Sequence, residues 1–479
     1  MLFNSFAFLV FLPIVFLIYW RIRNLRVQNF FVIVASYVFY GWWDWRFLSL
    51  IIFSSLADYL LGLRLQQAED LHRRKRWLWC SLIVNLGLLG TFKYFNFFID
   101  SAALLLESLG FQAHLPTLRI VLPVGISFYT FQSLSYTIDI YRRKLEPTRD
   151  MIAFFAFVSF FPQLVAGPIE RAQHLLPQFL KSRRFEEQLA TDGLRQMLWG
   201  FFKKVVIADN CAIIADICFD PSQSLTWWSY LVGIIFFAFQ IYGDFSGYSD
   251  IAIGLARLFG FQLMRNFAYP YFSRDMAEFW RRWHISLSTW FRDYVYISLG
   301  GSHGSMWKRI RNIIITFTVS GLWHGANWTY IFWGFLNGLY YIPLMLANQH
   351  KAHTEIVARN TFLPSPKELG QILITFLLTC LAWVFFRARD MHSAIVYLQH
   401  MSGIHDGTKS IIKVDKLTLE ICSAGLLILV TFEWLQRKKA HALERLPLPT
   451  VCRWLLYIII GFLVISFFET PKTFIYFQF

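Results

Sequence analysis

Long apolar stretches alternate with short basic stretches along the whole chain. A membrane-spanning helix needs ~20 predominantly apolar residues, and several of the stretches are short or polar enough to be re-entrant instead. We therefore predict an all-α polytopic membrane protein with roughly 10–12 transmembrane helices. The candidate stretches are Phe3–Trp20, Phe30–Trp43, Phe47–Leu63, Trp77–Phe98, Ile120–Tyr141, Met151–Val165, Leu194–Ile217, Trp227–Tyr242, Ile313–Trp328, Tyr330–Leu346, Leu369–Phe386, Thr418–Trp434 and Val451–Phe468.

Three segments carry too many polar or helix-breaking residues for helices that face lipid. They are Phe161–Arg171, Gln240–Asp250 and Arg274–Tyr296. Irregular backbone at membrane depth persists only where it is buried in protein or lines a water-filled cavity. The three segments therefore predict a polar cavity inside the helix bundle, with re-entrant and interfacial helices around it.

The segment Arg274–Tyr296 is amphipathic at helical spacing, with an aromatic stripe opposite a polar one. Two residues cover about 200° of a helix, which places His284 on the side opposite Arg282. We predict one helix over the segment, lying against the mouth of the cavity with His284 directed inward. An interfacial helix with snorkelling arginines is the alternative interpretation.

His324 stands inside Ile313–Leu346, a stretch without any Asp, Glu, Lys or Arg. Arg311 is the last charged residue before it, and the 13 helical steps from Arg311 to His324 cover ~20 Å of a hydrocarbon core that is ~30 Å thick. Ionisable residues at that depth are costly and mark pathways or reaction centres. Gly321 and Gly325 flank His324 and allow a ligand or a backbone to approach closely. We therefore interpret His324 as a functional residue.

Composition supports a membrane protein, because 56% of the 479 residues are hydrophobic and only 16% are charged. The net charge of +15 would suggest nucleic acid in a soluble protein. Here the basic clusters, such as Arg73–Arg76 and Arg437–Lys439, separate apolar stretches as cytoplasmic loops do. We expect no nucleic-acid partner, and both chain termini outside the cytoplasm. Basic residues at the cytoplasmic opening of the cavity would also attract a donor that carries phosphates.

Several other chemistries lack their sequence signals. No H-E-x-x-H, Walker A or G-x-G-x-x-G pattern is present. The six cysteines are spread singly without C-x-x-C spacing, so neither a metal site nor a disulfide framework is expected. Gly300–Ser305 is rich in glycine but follows a helical pattern, so we predict a loop there and no nucleophile elbow.

Two histidine motifs lie 40 residues apart, Trp-Arg-Arg-Trp-His at 280–284 and Ser-Gly-Leu-Trp-His-Gly at 320–325. Together with four further motifs they resemble the membrane-bound O-acyltransferase superfamily, in the branch that O-acetylates alginate and peptidoglycan. The resemblance extends over nearly the whole chain. The further motifs are Leu122–Phe131, Val165–Arg171, Asp244–Asp250 and Asn266–Tyr271.

The resemblance implies a fold, a reaction and partners. It implies one integral-membrane domain over residues 1–479, with its helices around a central tunnel. The reaction it implies moves an acetyl group from a cytoplasmic donor, acetyl-CoA, across the bacterial inner membrane to an extracytoplasmic polysaccharide. No permanently bound cofactor or metal is expected. Final transfer is expected to need a separate extracytoplasmic esterase-like partner.

The resemblance also assigns candidate site residues. His324 matches the family's catalytic histidine and His284 its second motif position. A hydroxyl that attacks a thioester needs a base, and a neutral imidazole with a pKa of about 6.5 suits that task. Asn327 or the backbone N–H groups near Gly325 are candidate donors to the oxyanion. The remaining candidates, for the lining of the tunnel, are Trp280, Ser320, Trp323, Asn327 and Asp250.

The C-terminal tail 474–479, Phe-Ile-Tyr-Phe-Gln-Phe, has two interpretations. It is an aromatic anchor at the membrane interface, or it presents Tyr476 as an acyl acceptor, as proposed for a similar terminal hexapeptide in related systems.

Two other functions fit the pattern. A transporter or flippase for an acyl or glycan intermediate would also need polar, broken helices and histidines near the midplane. A lipid or protein acyltransferase from elsewhere in the superfamily would need room for a long acyl chain. The sequence does not distinguish alginate, peptidoglycan, cellulose and other exopolysaccharides as the acetylated polymer.

Overall fold

The computed structural model describes residues 1–111, 117–118, 121–223, 225–403, 411–412 and 414–468. The elements of this part of the chain are helices, which confirms the predicted all-α class. Five helical stretches in it are long and apolar enough to cross a bilayer, and two shorter apolar helices accompany them. They confirm a polytopic membrane protein, and the number of 10–12 spans stays a prediction. The five are Leu25–Gln67, Leu71–Ser108, Trp227–Leu258, Pro366–Arg387 and Lys416–Leu435.

The chain divides into two compact units, and the predicted single domain stays a prediction. The first unit comprises Met1–Ala190 and Leu255–Met264. Several of its helices begin where a polar side chain accepts a first-turn N–H, as Asn24 and Asp70 do. Its helices are α1 (Phe6–Arg21), α2 (Leu25–Asp44), α3 (Leu48–Gln67), α4 (Leu71–Leu89), α5 (Phe95–Ser108), α6 (Ile126–Tyr141), α7 (Met151–Ser159), α8 (Phe161–Leu164) and α9 (Ala172–Phe179). A 3₁₀ turn (Trp45–Phe47) links α2 to α3 and a π-helical turn (Gly90–Tyr94) links α4 to α5.

A polar network joins α3, α4 and α6 inside the first unit. Asp58 of α3 is fully buried and accepts hydrogen bonds from the Ser81 hydroxyl (2.6 Å) and the Asn85 amide (2.8 Å) of α4. Ser133 of α6 donates to the Asn85 carbonyl oxygen at 3.1 Å. Buried polar groups on apolar helices need such partners, so the network fixes how the three helices pack.

The predicted helix break in Phe161–Arg171 is confirmed. Helix α8 ends at Leu164, and the residues that follow it up to Glu170 are non-helical and buried. The Glu170 carboxylate accepts the backbone N–H of Met264 and lies 2.7 Å from the His174 ring. This irregular backbone is therefore enclosed by protein, which is the condition under which it persists at membrane depth.

The second unit comprises Thr191–Gly254 and Arg265–Phe479, so α10 and α12 contribute to both units. Two π-helical turns, Phe202–Ala208 and Arg292–Tyr296, and a 3₁₀ turn, Pro270–Phe272, connect its helices. The helices are α10 (Glu187–Phe201), α11 (Asp209–Cys218), α12 (Trp227–Leu258), α13 (Met276–Arg282), α14 (Ile285–Phe291), α15 (Met306–His324), α16 (Trp328–Leu346), α17 (Pro366–Arg387), α18 (Met391–Met401), α19 (Lys416–Leu435) and α20 (Thr450–Ser466).

Helix α12 runs without a break through Gln240–Asp250, so the prediction of irregular backbone there is wrong. Asp244, Ser246 and Ser249 of this segment are buried against protein, which removes the cost that lipid would impose on a regular helix. Its glycines serve close packing instead of a break. A Cβ on Gly247 would lie 2.7 Å from the Gly200 carbonyl oxygen of α10.

Candidate active site

The segment Arg274–Tyr296 is two helices, so the prediction of a single helix is wrong. Helix α13 ends before Trp283, which is extended, and His284 has a left-handed backbone with φ of 43°. The N–H of Ile285 then donates to the carbonyl oxygen of Asn266 at 2.8 Å. A tertiary hydrogen bond thus replaces a helical one. A non-glycine residue held in this backbone region costs about 1–3 kcal/mol, and such residues concentrate at active sites.

The side chain of Asn266 fixes the orientation of the His284 ring. Its amide nitrogen donates to the Ser249 hydroxyl at 3.0 Å, and its oxygen accepts the Ser286 N–H at 3.3 Å. Because a backbone N–H can only donate, the oxygen must be the atom on this side. The same oxygen lies 3.0 Å from His284 Nδ1, which therefore carries the proton.

His284 Nε2 points away from this network. When Nδ1 carries the proton of the neutral ring, Nε2 presents a lone pair. Within the described part of the chain, this buried nitrogen has no hydrogen-bond partner. The side chain is therefore held in the form that accepts a proton or a hydrogen bond at a defined atom.

His324 is the last residue of α15, which is a continuous helix from before Arg311 to His324. Its ring centroid lies 6.4 Å from that of His284, with 60° between the ring planes. The side chains are 3% and 1% exposed, respectively. The structure therefore brings together two buried imidazoles that are 40 residues apart in the sequence.

A shell of aromatic rings encloses the two histidines. Trp323, Trp333 and Phe386 lie 4.9, 5.1 and 5.3 Å from the His324 ring. Phe245 lies edge-on to His284 at 4.5 Å. Trp333 and Phe386 could not be identified from the sequence, because aromatic residues on apolar helices look the same whether they face lipid or a site.

Gly321 and Gly325 serve helix packing in this structure. A Cβ on Gly321 would lie 2.2 Å from the Tyr330 carbonyl oxygen and 3.1 Å from the Gly334 Cα atom. A Cβ on Gly325 would lie 2.2 Å from the Tyr330 ring. The predicted close approach is made by helix α16, whose contact with α15 positions His324. Small residues at such a crossing let two membrane helices pack closely.

The other candidates on the histidine motifs lie near the pair. Trp323 packs on both histidine rings, at 4.9 and 6.1 Å. Trp280 lies 5.8 Å from Trp333, and its indole N–H is buried without an acceptor among the described residues. Ser320 is buried on α15, one helical turn before His324.

Asn327 and Asp250 have structural partners. The Asn327 oxygen caps α16 by accepting the Thr329 N–H, and its amide nitrogen donates to the Arg389 carbonyl oxygen at 2.7 Å. Asp250 lies 2.5 Å from the ammonium group of Lys203. These contacts give Asn327 a structural role at the start of α16, and its role as an oxyanion donor stays a prediction.

A cluster of buried charges on α12 and Phe202–Ala208 was not predicted. The Lys204 ammonium group lies 2.8 Å from both Asp209 and Asp244. Nearby, the Tyr242 hydroxyl donates to the buried Glu433 carboxylate at 2.8 Å. The sequence signal was a pair of adjacent lysines within the apolar stretch Leu194–Ile217.

A cavity of about 380 Å³ lies between α12, α17, α19 and the loop before α13. Its wall is mostly apolar, and among the described residues Tyr242, Tyr269, Tyr271 and Glu433 contribute side chains with oxygen atoms. Phe267 stands next to this wall, with its ring 6.1 Å from Tyr242 and 6.3 Å from His284. Phe267 therefore contacts both a residue of the cavity wall and His284. Neither histidine lines the cavity, and the predicted tunnel stays a prediction.

The C-terminal tail 474–479 lies outside the described residues, and so does Tyr476. The two interpretations of the tail therefore remain predictions. The last described helix, α20, ends at Ser466.

Residues 144–385 match the family model of the membrane-bound O-acyltransferase family, a region that includes both histidines. The chain is 42% identical to the probable alginate O-acetylase AlgI of Pseudomonas aeruginosa, over 90% of this chain and 80% of that protein. It is 37% identical to the peptidoglycan O-acetyltransferase of Helicobacter pylori, over 85% and 80% of the two chains.

A more distant similarity extends to the teichoic acid D-alanyltransferase of Bacillus subtilis. Identity is 28% over 59% of this chain and 72% of that protein. The similar proteins thus differ in the polymer that their names state, and one of them differs in the acyl group.

Proposed function

The chain belongs to the membrane-bound O-acyltransferase family, and from this premise we propose that it moves acetyl groups from acetyl-CoA toward an extracytoplasmic polysaccharide. It is a multi-pass membrane O-acyltransferase. The proposed site rests mainly on the two buried imidazoles, His284 and His324, whose ring centroids are 6.4 Å apart. The His284 ring is held in a single tautomer. The names of the similar alginate and peptidoglycan enzymes support acetyl as the acyl group.

In the proposed reaction, His324 is the general base. The acceptor hydroxyl attacks the thioester carbonyl carbon while His324 removes its proton. The C–S bond then breaks, and His324 returns the proton to the sulfur, so that the products are an acetyl ester and a free thiol. His284 Nε2 is an acceptor in this scheme, and a hydrogen bond to it orients either the hydroxyl or the His324 N–H group.

The negative charge on the carbonyl oxygen needs donors in a site that excludes water. We assign this role to the backbone N–H groups near Gly325 and to the Trp280 indole, whose N–H has no acceptor among the described residues. The aromatic shell supplies the dry surroundings, which protect the acyl group from hydrolysis. Its closure around His324 also means that reactants must displace an aromatic side chain to reach the base.

The direction of transfer is part of the proposal. Lys308, Arg309 and Arg311 lie at the start of α15. Clusters of Lys and Arg are expected on the cytoplasmic side of the membrane, and their charge would attract a donor that carries phosphates. His324 follows ~20 Å along the helix. We place the enzyme in the bacterial inner membrane, with an extracytoplasmic esterase-like partner that completes transfer to the polymer. The similar bacterial proteins support this location.

The test is a purified, reconstituted enzyme with acetyl-CoA labelled in the acetyl group. Wild-type protein is expected to release free thiol and to label an added polysaccharide or partner. His324→Ala is expected to lose at least 10²-fold in rate, whereas His303→Ala, in the exposed Gly300–Ser305 loop, retains the wild-type rate. Label that crosses the membrane with its thioester intact would contradict the proposed transfer and favour transport.

The role of Tyr476 needs a separate experiment. We propose that its hydroxyl receives the acetyl group before the partner does. Tyr476→Phe preserves an aromatic anchor and removes the hydroxyl, so polymer acetate should fall while thiol release persists at the rate of hydrolysis. Unchanged polymer acetate in Tyr476→Phe would leave only the anchoring role. A deletion strain analysed for acetate on each wall polymer would identify the acceptor.

A further inference from the structure

A second cavity, of about 570 Å³, lies in the first unit, remote in sequence from the histidine motifs. It is formed by the end of α1, the turn into α2 and the segment 182–185. Three arginines and three aromatic residues face it. They are Arg23, Arg183, Arg184, Phe16, Trp20 and Phe185.

The Arg183 side chain is held in one position at the wall of this cavity. Its guanidinium donates to Gln28 Oε1 at 2.8 Å and to Asn29 Oδ1 at 2.7 Å. It also stacks on the Phe261 ring at 4.7 Å. All these partners are neutral, and no carboxylate among the described residues pairs with Arg183, so the side chain is fixed while its positive charge stays uncompensated.

Arg23 and Arg184 add two further charges at the rim. Both are exposed, and neither makes an ion pair within the described part of the chain. Among the described residues, no Asp or Glu lines the cavity. Three cationic groups without a carboxylate produce a positive potential that favours an anion with several oxygen acceptors.

The apolar side of the cavity continues along α1. Trp20 and Phe16 pack edge-on to Phe185 at 5.4 and 6.0 Å. Toward the N-terminus of the same helix, Leu17 is 59% exposed and Ile14 52% exposed. This surface suits hydrocarbon chains, whereas a free nucleotide or inorganic phosphate would make no use of it.

We propose that the cavity binds an anionic phospholipid, with the phosphodiester on the arginines and the acyl chains along the exposed face of α1. Basic pockets between membrane helices on the cytoplasmic side recognise anionic head groups in this way. The bound lipid would join α1, α2 and the segment 182–185, and so stabilise the first unit. The proposal is independent of the proposed acyl transfer.

The test compares lipids on the purified full-length protein in a neutral detergent. We expect phosphatidylglycerol to bind and to raise the thermal midpoint, and phosphatidylcholine to do so much less. The double variant Arg23→Gln/Arg184→Gln removes two charges and retains the structural Arg183. Native mass spectrometry should show about 30-fold weaker phosphatidylglycerol binding to it, at ~1 kcal/mol for each charge.

The matched control is Lys438→Gln/Lys439→Gln, which removes two charges from another basic cluster and should leave lipid binding unchanged. Equal binding of phosphatidylglycerol to wild type and to Arg23→Gln/Arg184→Gln would overturn the proposal. Equal stabilisation by inorganic phosphate would also overturn it, because the acyl chains would then contribute nothing. The rate of thiol release tests the other proposal and does not enter this comparison.

Discussion

The Nδ1 atom of His284 lies 3.0 Å from the Oδ1 atom of Asn266, and this contact determines which ring nitrogen can accept a proton. The Asn266 amide is held in turn by Ser249 and Ser286, at 3.0 and 2.9 Å from its nitrogen and oxygen. Asn266 is therefore a positioning residue for the site. It lies within the motif Asn266–Tyr271, but nothing in the sequence indicated that its side chain meets His284.

We predict that Asn266→Ala lowers the rate of acetyl transfer by about 10²-fold. The His284 ring would lose its fixed tautomer, and buried donors left without an acceptor would reduce stability by about 1–3 kcal/mol. The measurement is thiol release by reconstituted protein, together with the thermal midpoint. Asn85→Ala, which breaks a buried amide network in the first unit, is the control for stability alone.

Asn266→Asp provides a sharper readout of the same relationship. A carboxylate beside Nδ1 would favour the imidazolium form of His284, in which Nε2 donates instead of accepting. The pH profile of thiol release should therefore shift to higher pH in Asn266→Asp, relative to wild type. An unchanged profile with an unchanged rate would show that the His284 tautomer has no part in the reaction.

The crossing of α15 and α16 gives a prediction about helix packing. Gly321→Ala would place a methyl group 2.2 Å from the Tyr330 carbonyl oxygen, which is backbone and cannot rotate away. We expect a loss of about 3 kcal/mol in stability, and lower activity because His324 ends the displaced helix. Gly461→Ala on α20 meets no atom of another described segment within 4 Å and should be neutral or slightly stabilising. Thermal unfolding in detergent compares the two, and equal midpoints would contradict the proposed packing role.

Lys204, which lies in the buried charge cluster, should be essential for folding. Lys204→Met leaves Asp209 and Asp244 without their shared cation, and breaking a buried pair in this way costs about 3–5 kcal/mol. The exposed pair of Arg359 and Glu355, at 3.0 Å, provides the contrast, because Arg359→Ala should cost less than about 1 kcal/mol. Expression level and thermal midpoint measure both. A midpoint of Lys204→Met within a degree or two of Arg359→Ala would contradict this assignment.

The sequence predicted the elements whose determinants are local. Apolar length predicted the membrane helices, and the distance from Arg311 to His324 along a continuous helix is as expected. The loop at Gly300–Ser305 is also confirmed. Helical spacing failed at His284, because the backbone there is broken by hydrogen bonds to residues that are distant in sequence.

The composition of the site was harder to predict than its two histidines. Asn266, Trp333 and Phe386 contact the histidine pair only through tertiary packing. The sequence around each of them does not show which neighbours its side chain meets. The glycines that flank His324 correctly indicated that another group packs closely there, but they did not indicate which group. At Gly321 the approaching group is the backbone of α16.

Phe267 carries the last prediction, because its ring contacts both His284 and Tyr242 of the 380 Å³ cavity wall, and we infer that it forms a layer between them. Phe267→Ala would remove this layer and admit water beside the reacting thioester. We expect stability to fall by about 3–5 kcal/mol and the ratio of acetyl-CoA hydrolysis to polymer acetylation to rise several-fold. Phe272→Ala opens the same cavity on a different side, without the ring contact to His284, and should leave that ratio unchanged. Equal ratios in both variants would show that Phe267 does not separate the cavity from the histidine pair.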